Sequence, residues 1–313
     1  MKSALRFLLV VGCGLVTFMP PVATAASRYL AQADAGTHQE FDSTEAVTAT
    51  AGYLFPAANA DGVGSMNASA AANPGSLRAS ADATINVNSS ALGSNGSVAV
   101  GQSRFILDDI VISPLPGTTP LPVVPLSLSM VLSGSLDTLA SIGFPHIGSA
   151  GGSASISVSG VLAGVPFGGD RTKTTIASAA DGSVTDSPIS GTGILAGASS
   201  VLVTPDAMVS INSPFTLDLR LIAGASASYS YGGTTTASTA ALGFAESAFD
   251  NTLTLGFNGQ VFNLPAGYTA NSIGGMIVNN RVVPEPSSAT LLALGSLLSA
   301  VIGRRRKVFA GVA

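Results

Sequence analysis

The sequence predicts an all-β protein whose body is an antiparallel β-sandwich or a jelly-roll-like fold. Apolar and polar side chains alternate over short stretches, and clusters of Gly, Ser and Asn separate these stretches. Between the two ends, no long stretch shows the period of an amphipathic helix. Charged residues are 10% of the chain, against about 25% in ordinary soluble domains. Gly, Ala, Ser and Thr are abundant along the chain, so the core is expected to contain many small side chains.

The clearest strand signals are apolar side chains at every second position. They occur at 105–112, 126–132, 156–158 and 217–221. Between the first two stretches, the proline-rich segment 113–125 lacks this pattern and predicts a long loop crossing one domain, with a linker between two domains as the alternative.

Two Asn-Gly pairs predict tight turns, because both residues tolerate a positive φ. Asn258-Gly259 predicts a hairpin that pairs Leu255 with Phe262 and Leu253 with Leu264, so that these four side chains share one face. Asn95-Gly96 is the second candidate turn.

Residues 1–25 have the pattern of a secretory signal peptide, which predicts an N-terminal signal helix. Lys2 and Arg6 form a basic start, and an apolar stretch too short to span a membrane follows them. Small residues then precede the expected cleavage site between Ala25 and Ala26. The chain is therefore expected to be exported, with signal peptidase as a partner.

The C-terminal end has a motif, an apolar segment and a basic cluster in that order. The motif is Val283-Pro284-Glu285-Pro286, and the uncharged segment 287–303 after it predicts a single transmembrane helix about 26 Å long. The basic cluster consists of Arg304, Arg305, Arg306 and Lys307. By the positive-inside rule this cluster stays in the cytoplasm with the short tail 308–313, and the body 26–280 lies outside.

This tail, at 281–307, resembles the PEP-CTERM sorting signal of Gram-negative bacteria. The resemblance implies that an exosortase, a membrane-embedded enzyme resembling cysteine transpeptidases, processes the chain after a transient stay in the inner membrane. It also implies a final place at the cell surface or in the extracellular matrix, in a setting of exopolysaccharide and biofilm production. Residues 308–313 depart from the pattern, since many such tails end at the arginines.

The charge distribution argues against nucleic-acid binding, which needs clustered Lys and Arg outside the ends of the chain. All acidic residues lie between Asp34 and Glu285, whereas basic residues concentrate at the two termini. The single cysteine, Cys13, lies in the signal peptide, so the body contains neither a disulfide nor a cysteine ligand or nucleophile. No catalytic motif is found. We therefore expect neither enzymatic activity nor a cofactor.

Two pairs of residues are weak candidates for binding. Asp108 and Asp109 could hold a cation such as calcium, but neighbouring strand residues point to opposite faces unless a bulge or turn intervenes. The alternative is a solvated turn. Tyr229 and Tyr231 share one face of a strand and could contact a glycan, or could belong to the core.

Three alternatives to the sorted surface protein stay open at this point. The chain could be an adhesin or glycan-binding matrix protein that uses the tyrosine pair. It could be an unprocessed, tail-anchored periplasmic protein, in which 287–303 is a plain anchor. A hydrolase with a dispersed site is the third, which the lack of a motif disfavours.

Overall fold

The computed structural model describes residues 28–35, 38–43, 47–56, 61–89, 93–143, 148–231 and 239–283. Almost all of this part of the chain is β-strand, every strand pairing in it is antiparallel, and the one helical element is a 3₁₀ turn at Gly193–Leu195. The all-β prediction is confirmed. Among these residues, no helix has the length and apolarity needed to cross a membrane. The predicted signal helix and C-terminal helix lie outside the described ranges.

The strands are numbered β1 to β20 along the chain and form two large sheets. The first sheet has nine strands: β1 (Arg28–Asp34), β2 (His38–Ser43), β6 (Gly93–Pro114), β9 (Gly148–Leu162), β10 (Val165–Ser178), β11 (Val184–Asp186), β12 (Ser190–Gly191), β15 (Pro214–Tyr231) and β18 (Tyr268–Ser272). Its main order is β11-β10-β9-β15-β6-β1-β2, with β12 on β10 and β18 on β6.

The second sheet also has nine strands: β3 (Val47–Pro56), β4 (Asp61–Asn73), β5 (Ser76–Ser89), β7 (Val123–Leu132), β8 (Ser135–Ile142), β13 (Val201–Val203), β14 (Ala207–Ser210), β16 (Thr239–Leu255) and β17 (Phe262–Asn263). Its main order is β13-β7-β16-β5-β4-β3, with β14 and β17 on β7 and β8 on β16. A small hairpin of β19 (Ile277–Val278) and β20 (Arg281–Val282) follows. This last strand lies within the segment 281–307 predicted as the sorting tail.

The two sheets pack face to face, so the described part of the chain is a β-sandwich. Strands of the first sheet lie over strands of the second, as β15 does over β5 and β16. Along most strands whose side chains are described, buried residues alternate with outward-facing ones, which is the pattern expected of a sheet with one buried face. On β7, in contrast, residues 126–130 are all buried. All four predicted alternating stretches lie in strands, namely in β6, β7, β9 and β15.

The interior has two regions of different composition. The large-residue end is filled by side chains such as Phe105, Leu107, Ile156, Leu219 and Phe262, all buried. The small-residue band beside it contains the buried residues of 97–103 on β6, 150–154 on β9, 223–227 on β15, 79–83 on β5 and 241–247 on β16, which are almost all Ala, Ser or Gly.

In the small-residue band the backbones of the two sheets approach each other closely. A Cβ on Gly101 of β6 would lie 2.5 Å from the carbonyl oxygen of Ser80 in the opposite sheet, and closer still to that of Ser69. Serine hydroxyls also bridge the sheets: Ser97 Oγ donates to the Thr84 carbonyl (3.3 Å) and Ser247 Oγ to the Ser155 carbonyl (2.7 Å). These distances require glycine, alanine or serine at the facing positions.

The Asn258-Gly259 turn is confirmed, but the predicted hairpin pairing is wrong. Both residues have positive φ (54° and 79°), and Phe257 and Gln260 exchange two backbone hydrogen bonds across the turn. The arms then separate, because each finds a partner on β7. Leu255 pairs with Met130, and Phe262 pairs with Leu128.

The Asn95-Gly96 turn prediction is wrong. Both residues lie inside the 22-residue strand β6, where they pair with Tyr229 and Ser228 of β15. A long partner strand therefore overrides the local turn preference. The loop prediction for 113–125 holds for its centre: residues 115–122 connect β6 in one sheet to β7 in the other, and strands take up both ends.

Candidate functional site

The predicted sorting motif begins where the described fold ends. The N–H of Val283 donates to the carbonyl of Met276 (2.8 Å), directly after the hairpin of β19 and β20. Pro284, Glu285, Pro286 and the basic cluster 304–307 lie outside the described residues, as do Ala25 and Ala26 at the predicted cleavage site. These site residues therefore stay predictions.

Asp108 and Asp109 lie in a β-bulge of β6. Leu107 pairs with Leu217 and Ile110 with Phe215, so the two aspartates together face the single residue Thr216. A bulge was the condition under which neighbouring carboxylates could act together. The two side chains nevertheless differ, because Asp108 is exposed whereas Asp109 is only 6% exposed.

The Asp109 carboxylate faces the turn that follows β18. Its Oδ2 accepts a hydrogen bond from the N–H of Gly274 (2.6 Å), and its backbone carbonyl accepts one from Ile273 (3.3 Å). Its Oδ1 is fully buried and has no hydrogen-bond partner in the described part of the chain. A buried carboxylate oxygen without a donor is costly, so this position calls for a cation or a donor.

A cation site here would need more ligands than the aspartates supply. Within the described ranges, no group of three or more His, Cys, Asp or Glu side chains could hold a metal ion. Calcium takes six to eight oxygen ligands, which backbone carbonyls or waters would have to complete. The two aspartates therefore remain weak candidates for metal binding.

The prediction of a glycan contact is wrong for one residue of the tyrosine pair. Tyr229 is 4% exposed and belongs to the hydrophobic core, and burial raises the pKa of its hydroxyl. A ring in the core cannot stack on a sugar, so Tyr229 is not a glycan contact. Strand alternation places it on the inward face of β15 with Ala225 and Ala227. The Tyr231 side chain lies outside the described set.

A groove of about 480 Å³ near β8 and β10 was not predicted from the sequence. Its lining includes Asp137, Lys173 and Ile189, and Lys173 Nζ lies 4.0 Å from Asp137 Oδ1. The guanidinium of Arg171, at the same groove, donates to the carbonyls of Leu195 (3.1 Å), Gly197 and Ser199 (2.7 Å). Arg171 thus holds the 195–199 loop, part of which lines the groove.

The partners of Asp109 also escaped the sequence analysis. Gly274 lies 165 residues from Asp109 in the sequence, and the Gly274-Gly275 pair indicates only a turn.

No family model, no curated protein and no solved structure matches the chain.

Proposed function

We propose that this chain is an exported, non-enzymatic protein of the cell surface or extracellular matrix, sorted by its C-terminal tail and processed by an exosortase. The observation that carries the proposal is the order of features in the sequence. A signal-peptide pattern opens the chain, and the motif at 283–286, the apolar segment 287–303 and the basic cluster 304–307 close it. The body between them is the part delivered outside.

The position of the motif supports this proposal. The last backbone hydrogen bond of the described body involves Val283, and Pro284 comes directly after it. Proline lacks an N–H and disfavours helix at the residue before it, so 283–286 favours extended backbone. A processing enzyme can bind extended peptide by backbone hydrogen bonds. The motif thus follows the sandwich without an intervening linker.

The first test is the intact mass of the native protein together with cell fractionation. We expect a species that begins at Ala26, ends near Pro286 and is found outside the inner membrane. A species that still ends at Ala313 in the inner membrane would instead support the tail-anchored periplasmic protein. It would contradict processing by an exosortase.

The second test changes the motif itself. Glu285→Ala and Pro286→Ala are each expected to leave a full-length, membrane-bound form, because the processing enzyme loses the motif it binds. Val278→Ala is the matched control: Val278 is exposed and lies in the hairpin just before the tail 281–307, so this variant should be processed normally. Normal processing of the two motif variants would contradict the proposal.

A glycan-binding role is the second candidate, and one surface of the first sheet favours it. We define the hydroxyl face as the outward-facing residues Ser153, Ser155, Thr172, Thr174 and Ser226. Thr174 pairs with Ser153, and Ser153 with Ser226, so these hydroxyls form one row across β10, β9 and β15. A second, shorter row pairs Thr172 with Ser155. Such rows can donate to and accept from the hydroxyl groups of a polysaccharide.

Binding to exopolysaccharide isolated from the producing cells tests this second role. Ser153→Glu combined with Ser226→Glu is expected to reduce retention on an acidic polysaccharide at least tenfold, because the new carboxylates repel it. The matched control is Ser183→Glu in the exposed turn between β10 and β11. Equal retention of the native protein, the double variant and the control would contradict binding of the polysaccharide by the hydroxyl face.

A further inference from the structure

The groove near β8 and β10 has the size of a small-molecule site. It measures about 480 Å³ and lies where the start of β8, in the second sheet, meets β10, in the first sheet, and the 195–199 loop. Ligand pockets are typically about 300–1,000 Å³, and most of their lining is apolar, with a few polar groups that orient the ligand. The groove falls within this range of sizes, and its lining decides what it can bind.

The walls of the groove are aliphatic. Leu136 on β8 and Leu195 in the 3₁₀ turn are buried, whereas Ile189, just before β12, is 56% exposed. The loop residues at 196–198 that complete the wall are Ala, Gly and Ala. An exposed isoleucine at a concave surface gains free energy when an apolar ligand covers it.

Two cations enter the groove from one strand. Arg171 and Lys173 are two positions apart on β10, and their partners on β9, Ile156 and Ala154, are fully buried. Residues paired across two strands share one face, so both cations leave the inward face of the first sheet. The guanidinium of Arg171 binds carbonyl oxygens of the 195–199 loop, which carry no net charge, so its positive charge is not neutralised by them.

The ammonium group of Lys173 is the cation available to a ligand. Its Nζ lies 4.0 Å from Asp137 Oδ1, which is too long for a hydrogen bond, and among the described residues no atom accepts a hydrogen bond from it. The side chain of Lys173 is only 21% exposed, whereas that of Asp137 is 58% exposed and can be hydrated. Lys173 therefore has donors directed into a partly desolvated space.

The groove is positive on a chain that is acidic overall. The chain has 17 Asp and Glu residues against 13 Lys and Arg. Among the described residues that line the groove, the two cations are accompanied by one carboxylate, that of Asp137. An anion in the groove would gain charge-assisted hydrogen bonds from Lys173, and the aliphatic walls would favour an apolar remainder.

Close backbone packing holds the loop side of the groove in place. A Cβ on Gly169 of β10 would lie 2.8 Å from the backbone nitrogen of Leu195, and a Cβ on Gly191 of β12 would lie closer still to the Leu195 carbonyl oxygen. The hydrogen bonds from Arg171 fix the same loop. A wall that is already ordered costs little entropy when a ligand binds.

We propose that this groove binds a small organic carboxylate with an aliphatic chain. Its carboxylate accepts hydrogen bonds from Lys173, and its chain lies against Leu136 and Ile189. The proposal does not depend on the proposed export, because all of these residues lie in the body. It is also separate from glycan binding, because the hydroxyl face lies on the other side of β10.

Isothermal titration calorimetry with octanoate tests the proposal, on the protein as the cells process it. Octanoate is expected to bind. Acetate, which lacks the chain, and 1-octanol, which lacks the charge, should each bind at least tenfold more weakly, because each makes only half of the contacts. No binding of octanoate would overturn the proposal, and so would equal affinities for octanoate and 1-octanol.

Variants at Lys173 test the charged end of the groove. Lys173→Gln should weaken octanoate binding at least tenfold, whereas Lys173→Arg, which keeps the charge, should retain most of it. Arg78→Gln is the matched control, because Arg78 is exposed on β5 in the second sheet and its loss changes the net charge equally. Equal weakening by Lys173→Gln and Arg78→Gln would reflect net charge alone and would contradict the proposal.

A variant at Ile189 tests the aliphatic wall. Ile189→Ser should weaken octanoate binding about fivefold, because the chain loses an apolar contact. Ile176→Ser is the matched control, since Ile176 is 49% exposed on the outward face of β10 and does not line the groove. Equal affinities of the two variants for octanoate would contradict the contact with Ile189.

Acetylation of Lys173 reports where octanoate binds. Lys173 is the only lysine between Lys2 and Lys307, so its modification is resolved by peptide mass. Saturating octanoate should slow the acetylation of Lys173 at least tenfold, and acetate at the same concentration should leave the rate unchanged. An unchanged rate with octanoate bound would place the ligand elsewhere and overturn the proposal.

Discussion

The large-residue end and the small-residue band are parts of one sandwich, yet they are packed in opposite ways. The difference arises along single strands: on β15 the inward residues change from Leu217, Leu219 and Leu221 to Ala223 and Ala225 without a break. In the large-residue end, side chains fill the space between the sheets. In the small-residue band, the backbones of the two sheets approach each other, and serine hydroxyls donate hydrogen bonds from one sheet to the other.

This contrast shows that a sandwich can be stabilised in two ways at once. The large-residue end gains from the apolar area it removes from water, at about 25 cal/mol per Å². The small-residue band removes less area per residue, but alanine and glycine lose no side-chain entropy on burial. Its stability depends on close contact and on hydrogen bonds between the sheets. The first region should therefore be sensitive to truncation and the second to enlargement.

The largest effect is expected from truncation at the large-residue end. Leu219 on β15 is fully buried, and Leu219→Ala should lower the free energy of unfolding by about 2–5 kcal/mol through lost burial and a cavity. Ile222→Ala, on the outward face of the same strand, is the control and should cost less than half as much. Denaturant titration measures both. Equal losses would mean that this region does not depend on side-chain burial.

Enlargement in the small-residue band is expected to come next. Gly101→Ala should lower the free energy of unfolding by about 1–3 kcal/mol, because the new methyl group meets backbone carbonyls that cannot move aside. Gly96→Ala, on the same strand, is the control, since its Cβ would meet its nearest neighbour at 3.4 Å. If Gly101→Ala is as stable as Gly96→Ala, the sheets are not in contact at this point.

Loss of a bridging hydroxyl should have a smaller effect. Ser247→Ala removes the hydrogen bond to the Ser155 carbonyl and should cost about 1 kcal/mol. Ser103→Ala is the matched control, because the Ser103 hydroxyl is buried without a partner among the described residues. That variant should be neutral or stabilising. Equal losses in the free energy of unfolding for the two variants would mean that the hydrogen bond from Ser247 to Ser155 does not stabilise the fold.

The smallest effect is expected in an exposed turn outside both regions. The Ser183 hydroxyl (2.7 Å) and backbone N–H (3.0 Å) donate to Asp181 Oδ1 and lower the pKa of this carboxyl below its usual 3.8. A lowered pKa stabilises the fold above the unfolded-state value, and this contribution is lost as the pH falls through the folded value.

Thermal unfolding across a pH series tests this turn. Asp181→Ala should lower the midpoint slightly at neutral pH, and the difference should disappear as the pH falls below the usual value of 3.8. Ser183→Ala, which removes the hydroxyl donor, should show the same trend. A difference that stays constant with pH would show that the carboxylate is not the stabilising group.

Much of the fold was predictable, because strand alternation and turn residues are local signals. The strands around 126–132 and 217–221 and the turn at Asn258-Gly259 follow from spacing alone. The partners of strands were not predictable. Leu255 lies seven residues from Phe262 in sequence, yet both pair with β7 instead of with each other.

The candidate site shows the same division. The sequence identified Asp108 and Asp109 and the condition that a bulge must join them. It gave no sign that Asp109 would be buried or that Gly274 would bind it, because that contact depends on how β18 lies along β6. For Tyr229, the spacing allowed either a glycan contact or a core residue. The structure places it on the inward face of β15, in the core.

The sequence by itself determined the all-β class and the small-residue composition of the core, and it contains the patterns from which the signals at the two ends of the chain are predicted, because each of these depends only on neighbouring residues. The tertiary structure alone decided the strand order, the contact between sheet backbones at Gly101 and the burial of the Asp109 carboxylate. These features join residues far apart in the chain, and their energies depend on burial and distance, which local patterns do not encode.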